Sequence, residues 1–274
     1  MTKLKVLISS LEQGICCPFL DQQDNLHFLV QNTGDVFMVD QNQSVTRVNN
    51  SSGQPYGAAV DDEGAVFVAD MAHAAIVVAN PDEKHQMVVR VYEDKPFKGP
   101  HSLCFDRQGT MYFTDAGPLG ETGLHNPSGS LFCITGGQSG QMLKPVALEW
   151  LAYPSGVAVS PDDRCVYVCE QMVNRVVRFV QRPSGVYHAS VFYQFSGGLG
   201  PSCCACDGQG NLYVASYDFT GSTEGSIYGI SPEGKLFATL TVPGPEITGI
   251  TINQDTNRLY ATEASTASIY YTDL

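Results

Sequence analysis

The chain has 274 residues, 43% of them hydrophobic, enough for one large all-β domain or two average ones with a sizeable core, which excludes a disordered chain. Asp and Glu outnumber Lys and Arg 28 to 15, and the resulting net charge of −13 repels phosphate backbones and anionic lipid surfaces. Nucleic acid and membrane are therefore not expected partners, and the longest apolar runs fall far short of the roughly 20 residues of a membrane helix.

The N-terminal "MTKLKVLISSLEQG" alternates as a strand, and its apolar stretch is too short for the core of a signal peptide. Nine cysteines, an odd number without framework spacing, predict reduced thiols in the cytoplasm that act as small buried hydrophobes. The sequons at Asn42, Asn49 and Asn50 are then unused. One template then repeats along the chain: "YGAAVDDEGAVFVAD" (56–70), "HSLCFDRQGTMYFTD" (101–115), "SGVAVSPDDRCVYVCE" (155–170), "SCCACDGQGNLYVAS" (202–216) and "TGITINQDTNRLYATE" (248–263). A weaker first copy is "CCPFLDQQDNLHFLV" (16–30). The copies open at Cys16, Tyr56, His101, Ser155, Ser202 and Thr248, at intervals of 40 to 54 residues, the spacing of four-stranded propeller blades.

Each template reads as two strands joined by a D-x-x-G type turn, and most copies are followed by two more short strands. The sixth copy stops at "SIYYTDL", one strand short, and "KLKVLIS" has no partner in the first. The predicted fold is therefore all-β: a single domain over 1–274, a six-bladed β-propeller of four-stranded antiparallel blades, closed by the N-terminal strand as outer strand of the last blade. Helical periodicity is absent except for a turn near "ALEWLA".

"MYFTDAGPLGETGLHNPSGSLFCI", "YPSGVAVSPDDRCVYVCEQMVNRVVRF" and "GNLYVASYDFTGSTEGSIYGISPEGKLFATLTVPGPEITGI" resemble the senescence-marker-protein/gluconolactonase-like family, and "YGAAVDDEGAVFVAD" also resembles NHL repeats. The resemblance covers nearly the whole chain. It implies a divalent cation held by a Glu, an Asn and an Asp at the starts of innermost strands, polarising a lactone or ester carbonyl. This chain departs at each matching position, with Cys16, Ser155 and Ser202, and His101 stands where the family has a substrate-contacting asparagine. Glu12 is near the first position only at the cost of a four-residue slip.

The opening residues Cys16, Tyr56, His101, Ser155, Ser202 and Thr248 are expected to line the open face as a neutral ring suited to a polar ligand, or simply to solvate a channel. The acids Asp70, Asp115, Glu170 and Glu263 end the second strands, where they form a cation or basic-peptide site or accept loop amides. The third copy carries an insertion, 116–129, placed as a loop on the same face, with His125 directed towards His101. Cys203, Cys204 and Cys206 lack a second ligand pair for zinc, and a Ser–His pair would need His101 across the channel from Ser155 or Ser202.

The function expected from loss of the three cation ligands is a non-catalytic or catalytically degenerate propeller binding a protein segment or small polar ligand. A lactone or ester hydrolase with substituted ligands is the alternative. No cofactor is expected, a divalent cation such as Ca2+ being the alternative.

Overall fold

The computed structural model describes residues 2–82, 84–136, 141–183, 185–197, 200–218 and 220–274. Two short N-terminal strands, β1 (Thr2–Lys3) and β2 (Lys5–Ile8), precede the first blade, β3 (Ile15–Leu20), β4 (Leu26–Val30), β5 (Asp35–Val39) and β6 (Val45–Asn50). Blade 2 contains β7 (Pro55–Val60), β8 (Val66–Asp70), β9 (Ala75–Val78) and β10 (Gln86–Val89), followed by a ribbon of β11 (Val91–Tyr92) and β12 (Lys95–Pro96). Blade 3 is β13 (Pro100–Phe105), β14 (Met111–Asp115), β15 (Gly129–Thr135) and β16 (Met142–Leu151); blade 4 is β17 (Pro154–Val159), β18 (Cys165–Glu170), β19 (Arg175–Gln181) and β20 (Tyr187–Gln194). Blade 5 is β21 (Pro201–Cys206), β22 (Leu212–Ser216), β23 (Gly225–Ile230) and β24 (Leu236–Val242), and blade 6 is β25 (Ile247–Asn253), β26 (Arg258–Glu263) and β27 (Ser268–Asp273). The chain is an all-β protein with the six-bladed β-propeller fold.

Blade 6 is completed as expected. β2 pairs antiparallel with β27, Lys5 opposite Tyr271 and Ile8 opposite Ile269. One residue upstream the same segment does something the sequence did not announce: β1 runs parallel to β24 at the edge of blade 5, with Thr2 opposite Leu240.

The residues form two compact units, Met1–Pro18 with Ser155–Leu274, and Phe19–Pro154. In both, the turn inside the template works as the sequence suggests. The Asp61 carboxylate accepts the amides of Glu63 (3.0 Å) and Ala65 (2.8 Å), and Gly64 supplies the positive φ of 84° that closes the turn. Asp106 and Asp207 repeat this with Gly109 and Gly210. A carboxylate that satisfies two amides at once makes the hairpin local, so each blade's inner half is specified by its own sequence.

Within each unit the residue after the opening position alternates between Gly and a larger side chain. A Cβ on Gly156 would lie 2.7 Å from the Cα of Cys203, and one on Gly249 would lie 2.7 Å from the Cα of Cys17. In the second unit Gly57 makes the same allowance for the His101 carbonyl, also at 2.7 Å. Glycine is needed here because successive innermost strands approach backbone to backbone. Around them the apolar residues of consecutive blades interlock. In the second unit Phe113 stacks on Phe132 at 5.4 Å and meets Phe97 edge-on at 5.3 Å, with Leu103, Ile134 and Ile76 in the same cluster. Each such side chain contributes about 1.5–3 kcal/mol by leaving water.

The helical turn expected near "ALEWLA" is a strand. β16 runs to Leu151 against β15, with Leu131 opposite Ala147 and Gly129 opposite Leu151. The register slips between these pairs, and Glu149 takes φ 56°. A bulge breaks the alternation of side chains and mimics helical spacing. Among the described residues the helical element is a 3-10 turn, Gln171–Val173, and no helix is long and apolar enough to cross a membrane.

Gly156→Ala and Gly249→Ala should each destabilise the protein by about 1–3 kcal/mol through overpacking, whereas Gly136→Ala, with nothing among the described residues within 4 Å of its Cβ position, should be neutral. Thermal melts of the three variants check this.

Candidate functional site

All six predicted opening residues occupy the second position of their innermost strands: Cys16 in β3, Tyr56 in β7, His101 in β13, Ser155 in β17, Ser202 in β21 and Thr248 in β25. Proline stands ahead of four of them, at positions 55, 100, 154 and 201. It fixes φ and needs no amide partner at the start of a strand.

In the second unit the structure gathers Tyr56, His101 and a residue absent from the expected set, Tyr153. The His101 ring lies 4.9 Å from that of Tyr56 and 5.7 Å from that of Tyr153, the latter edge-on. Tyr153 is buried, and its amide donates to the carbonyl of Thr122 at 2.7 Å. Thr122 belongs to the insertion and is itself buried, its hydroxyl donating to the Ala116 carbonyl at 2.5 Å. Thus the insertion holds Tyr153 beside the imidazole, while His125 lies exposed. Burial, and secondarily the neighbouring Tyr56, push the Tyr153 phenol well above its ordinary pKa, so it keeps its proton as a hydrogen-bond donor. The signal available in the sequence was an aromatic immediately ahead of "PSG"; the loop contact that fixes it was not readable.

In the first unit the opening residues are turned to the backbone. Ser155 Oγ lies 3.1 Å from the Pro201 carbonyl and 3.4 Å from that of Cys169. Ser202 Oγ lies 3.1 Å from the Ile247 carbonyl and 3.3 Å from that of Ala215. Thr248 Oγ1 reaches the Ile15 carbonyl at 2.8 Å, with Thr262 Oγ1 at 3.0 Å. Cys16 is buried, and Glu12 is exposed.

The acids that end the second strands are also committed within their own blades. Asp70 Oδ1 accepts the amides of Gln54 and His73, both at 3.1 Å, and its Oδ2 accepts the Ser51 hydroxyl at 2.8 Å. Asp115 accepts Gly99 N at 2.8 Å and Lys98 N at 3.1 Å, though burial still raises its pKa. Glu170 takes the Arg175 guanidinium at 2.5 Å. Glu263 accepts the amides of Glu246 (2.9 Å), Ser265 (3.1 Å) and Thr266 (2.7 Å) and the hydroxyls of the last two. Of the two roles open to them from sequence, these contacts fit amide acceptance. Among the described residues no group of three or more His, Cys, Asp or Glu is placed to hold a metal ion.

The SMP-30/gluconolactonase/LRE-like region matches residues 85–265. The chain belongs to the SMP-30/gluconolactonase/LRE-like family. A relative in this direction is the lactonase drp35 of Staphylococcus saprophyticus, 27% identical over 244 residues, 85% of this chain and 70% of that protein. Among solved structures, a gluconolactonase from Xanthomonas campestris superimposes with a TM-score of 0.82 at 21% identity, covering 98% of this chain and 88% of its own. Regucalcin from Agrobacterium tumefaciens, a calcium-binding protein, superimposes with a TM-score of 0.80 at 17% identity, covering 100% and 94%. At these identities the structures speak for the fold. The expectation of a non-catalytic propeller is corrected by the lactonase match across most of the chain: loss of three cation-ligand side chains is poor ground for inferring loss of catalysis when the relatives are named lactonases.

The divalent ion that the family implies does not fit the side chains at the three corresponding positions. Hard cations take six to eight oxygen ligands with carboxylate charge among them, whereas Cys16, Ser155 and Ser202 offer a thiol and two neutral hydroxyls already directed at carbonyls.

Glu263→Ala should strip the acceptor from three amides and lower stability by about 3 kcal/mol. A urea titration of the variant against the parent protein checks the loss.

Proposed function

We propose that this chain hydrolyses lactones or esters. The observation that carries the reading is the lactonase match over 85% of the chain, supported by an imidazole in contact with two phenols at the start of an innermost strand. In this reading His101 accepts a proton from water as its oxygen attacks the substrate carbonyl. The phenol of Tyr153, kept protonated by burial, donates to the oxygen on which negative charge develops. The carbon–oxygen bond of the ring then breaks, the leaving alkoxide takes the proton held by His101, and a hydroxy acid is released. Tyr56, its ring 4.9 Å from the imidazole, holds it in place as a positioning residue. No step is assigned to a metal ion, because the side chains at the family's ion positions do not fit one.

The same reading has the protein in the cytoplasm, which nine cysteines outside any disulfide support.

A screen of five- and six-membered lactones and aryl esters, run with chelator and with added Ca2+, Mg2+, Mn2+ or Zn2+, tests the proposal. His101→Ala should lower kcat/KM by about 10²–10⁴, and Tyr153→Phe should lower kcat by about 10²–10³. Absence of turnover under every condition defeats the hydrolase reading; turnover left intact by both substitutions removes the chemistry from this cluster.

A further inference from the structure

We infer that the opening hydroxyls of blades 4, 5 and 6 form a one-way staple between successive innermost strands, two of them, Ser155 and Ser202, at positions where the family resemblance implies cation ligands, so that this part of the fold neither needs nor binds a divalent ion. The inference does not depend on the reaction proposed above.

The three contacts follow one rule. Ser155 in blade 4 reaches the carbonyl of the residue that begins β21, Pro201, at 3.1 Å. Ser202 in blade 5 reaches the carbonyl that begins β25, Ile247, at 3.1 Å. Thr248 in blade 6 reaches the carbonyl that begins β3, Ile15, at 2.8 Å. A hydroxyl has one proton to give, and in each case its shortest contact to a carbonyl lies in the next blade, not in its own.

This repetition has a physical use. In blades 5 and 6 the register shifts just after the first residue of the innermost strand, between Pro201 and Cys203 and between Ile247 and Gly249, and at this irregularity the carbonyl takes its proton from the hydroxyl of the preceding blade. Gly156 and Gly249, each the residue after a donor, lack the Cβ that would hold the next strand away. Close approach and hydroxyl donation are thus two parts of one joint. A cation bound by carboxylates can tie strands together from the centre; here the strands are tied pairwise by neutral groups whose protons are already spent. An oxygen donating into a neighbouring blade, next to a buried thiol at Cys16, lacks the charge and the freedom that a hard ion demands.

The test uses the full chain and a melting curve, with Thr248→Val as the main variant because it keeps the shape and loses the hydroxyl. Thr248→Val, Ser155→Ala and Ser202→Ala should each lower Tm by about 2–4 °C, Thr248→Ser should leave it unchanged, and none of the proteins should respond to EDTA or to added Ca2+, Mg2+, Mn2+ or Zn2+. An unchanged Tm in Thr248→Val overturns the staple. A wild-type Tm that falls on chelation, or calorimetric one-to-one binding of any of these ions that Ser155→Ala or Ser202→Ala abolishes, overturns the claim that these positions are free of a cation.

Discussion

Before a blade can begin, the backbone just ahead of its innermost strand must find a hydrogen-bond acceptor, and in three blades that acceptor is a buried carboxylate from the end of the second strand. Gln54 is bound by Asp70, Gly99 by Asp115 and Glu246 by Glu263. An anion out of water is tolerable only when surrounded by donors, and these carboxylates are. The joint sets where the innermost strand starts, and hence where its second residue, the one with chemical character, is presented. Site and scaffold therefore share one local device.

That device also separates the two kinds of acid and hydroxyl in the molecule. The carboxylates serve their own blades, and the hydroxyls of Ser155, Ser202 and Thr248 serve the next one along. In the second unit the opening residues are aromatic instead, and the same position carries a phenol and an imidazole tilted against each other. A position repeated by architecture thus carries backbone-directed hydroxyls in one unit and an aromatic pair in the other. Such division is open to repeat folds because the backbone supplies equivalent places and the side chain alone decides their use.

Much of this was legible before any coordinates. Asp61, Asp106 and Asp207 announce their turns because the Asp and Gly of a D-x-x-G hairpin are locally determined. The opening residues follow from counting back from those turns, and all six sit where the count puts them. What was hidden depends on contacts between segments remote in sequence: the tie from Thr122 to Tyr153, the carbonyls that the hydroxyls reach, and the bulge at Glu149 that disguised a strand. The function expected from the missing cation ligands went astray for a related reason. Sequence shows that a cation-ligand side chain is gone, but not that the activity went with it.

The two-part N-terminal segment has a temporal consequence. β2 pairs with β27 and β1 with β24, so Lys5 meets Tyr271 and Thr2 meets Leu240. In vectorial synthesis β1 and β2 stay bare until β24 and β27, more than 200 residues later, have been made. Loop closure over such a separation is slow, and the waiting edge is a place for a chaperone to hold or for another nascent copy to add on. Synthesis rate and chaperone supply, more than thermodynamic stability, would then govern how much native protein a cell obtains.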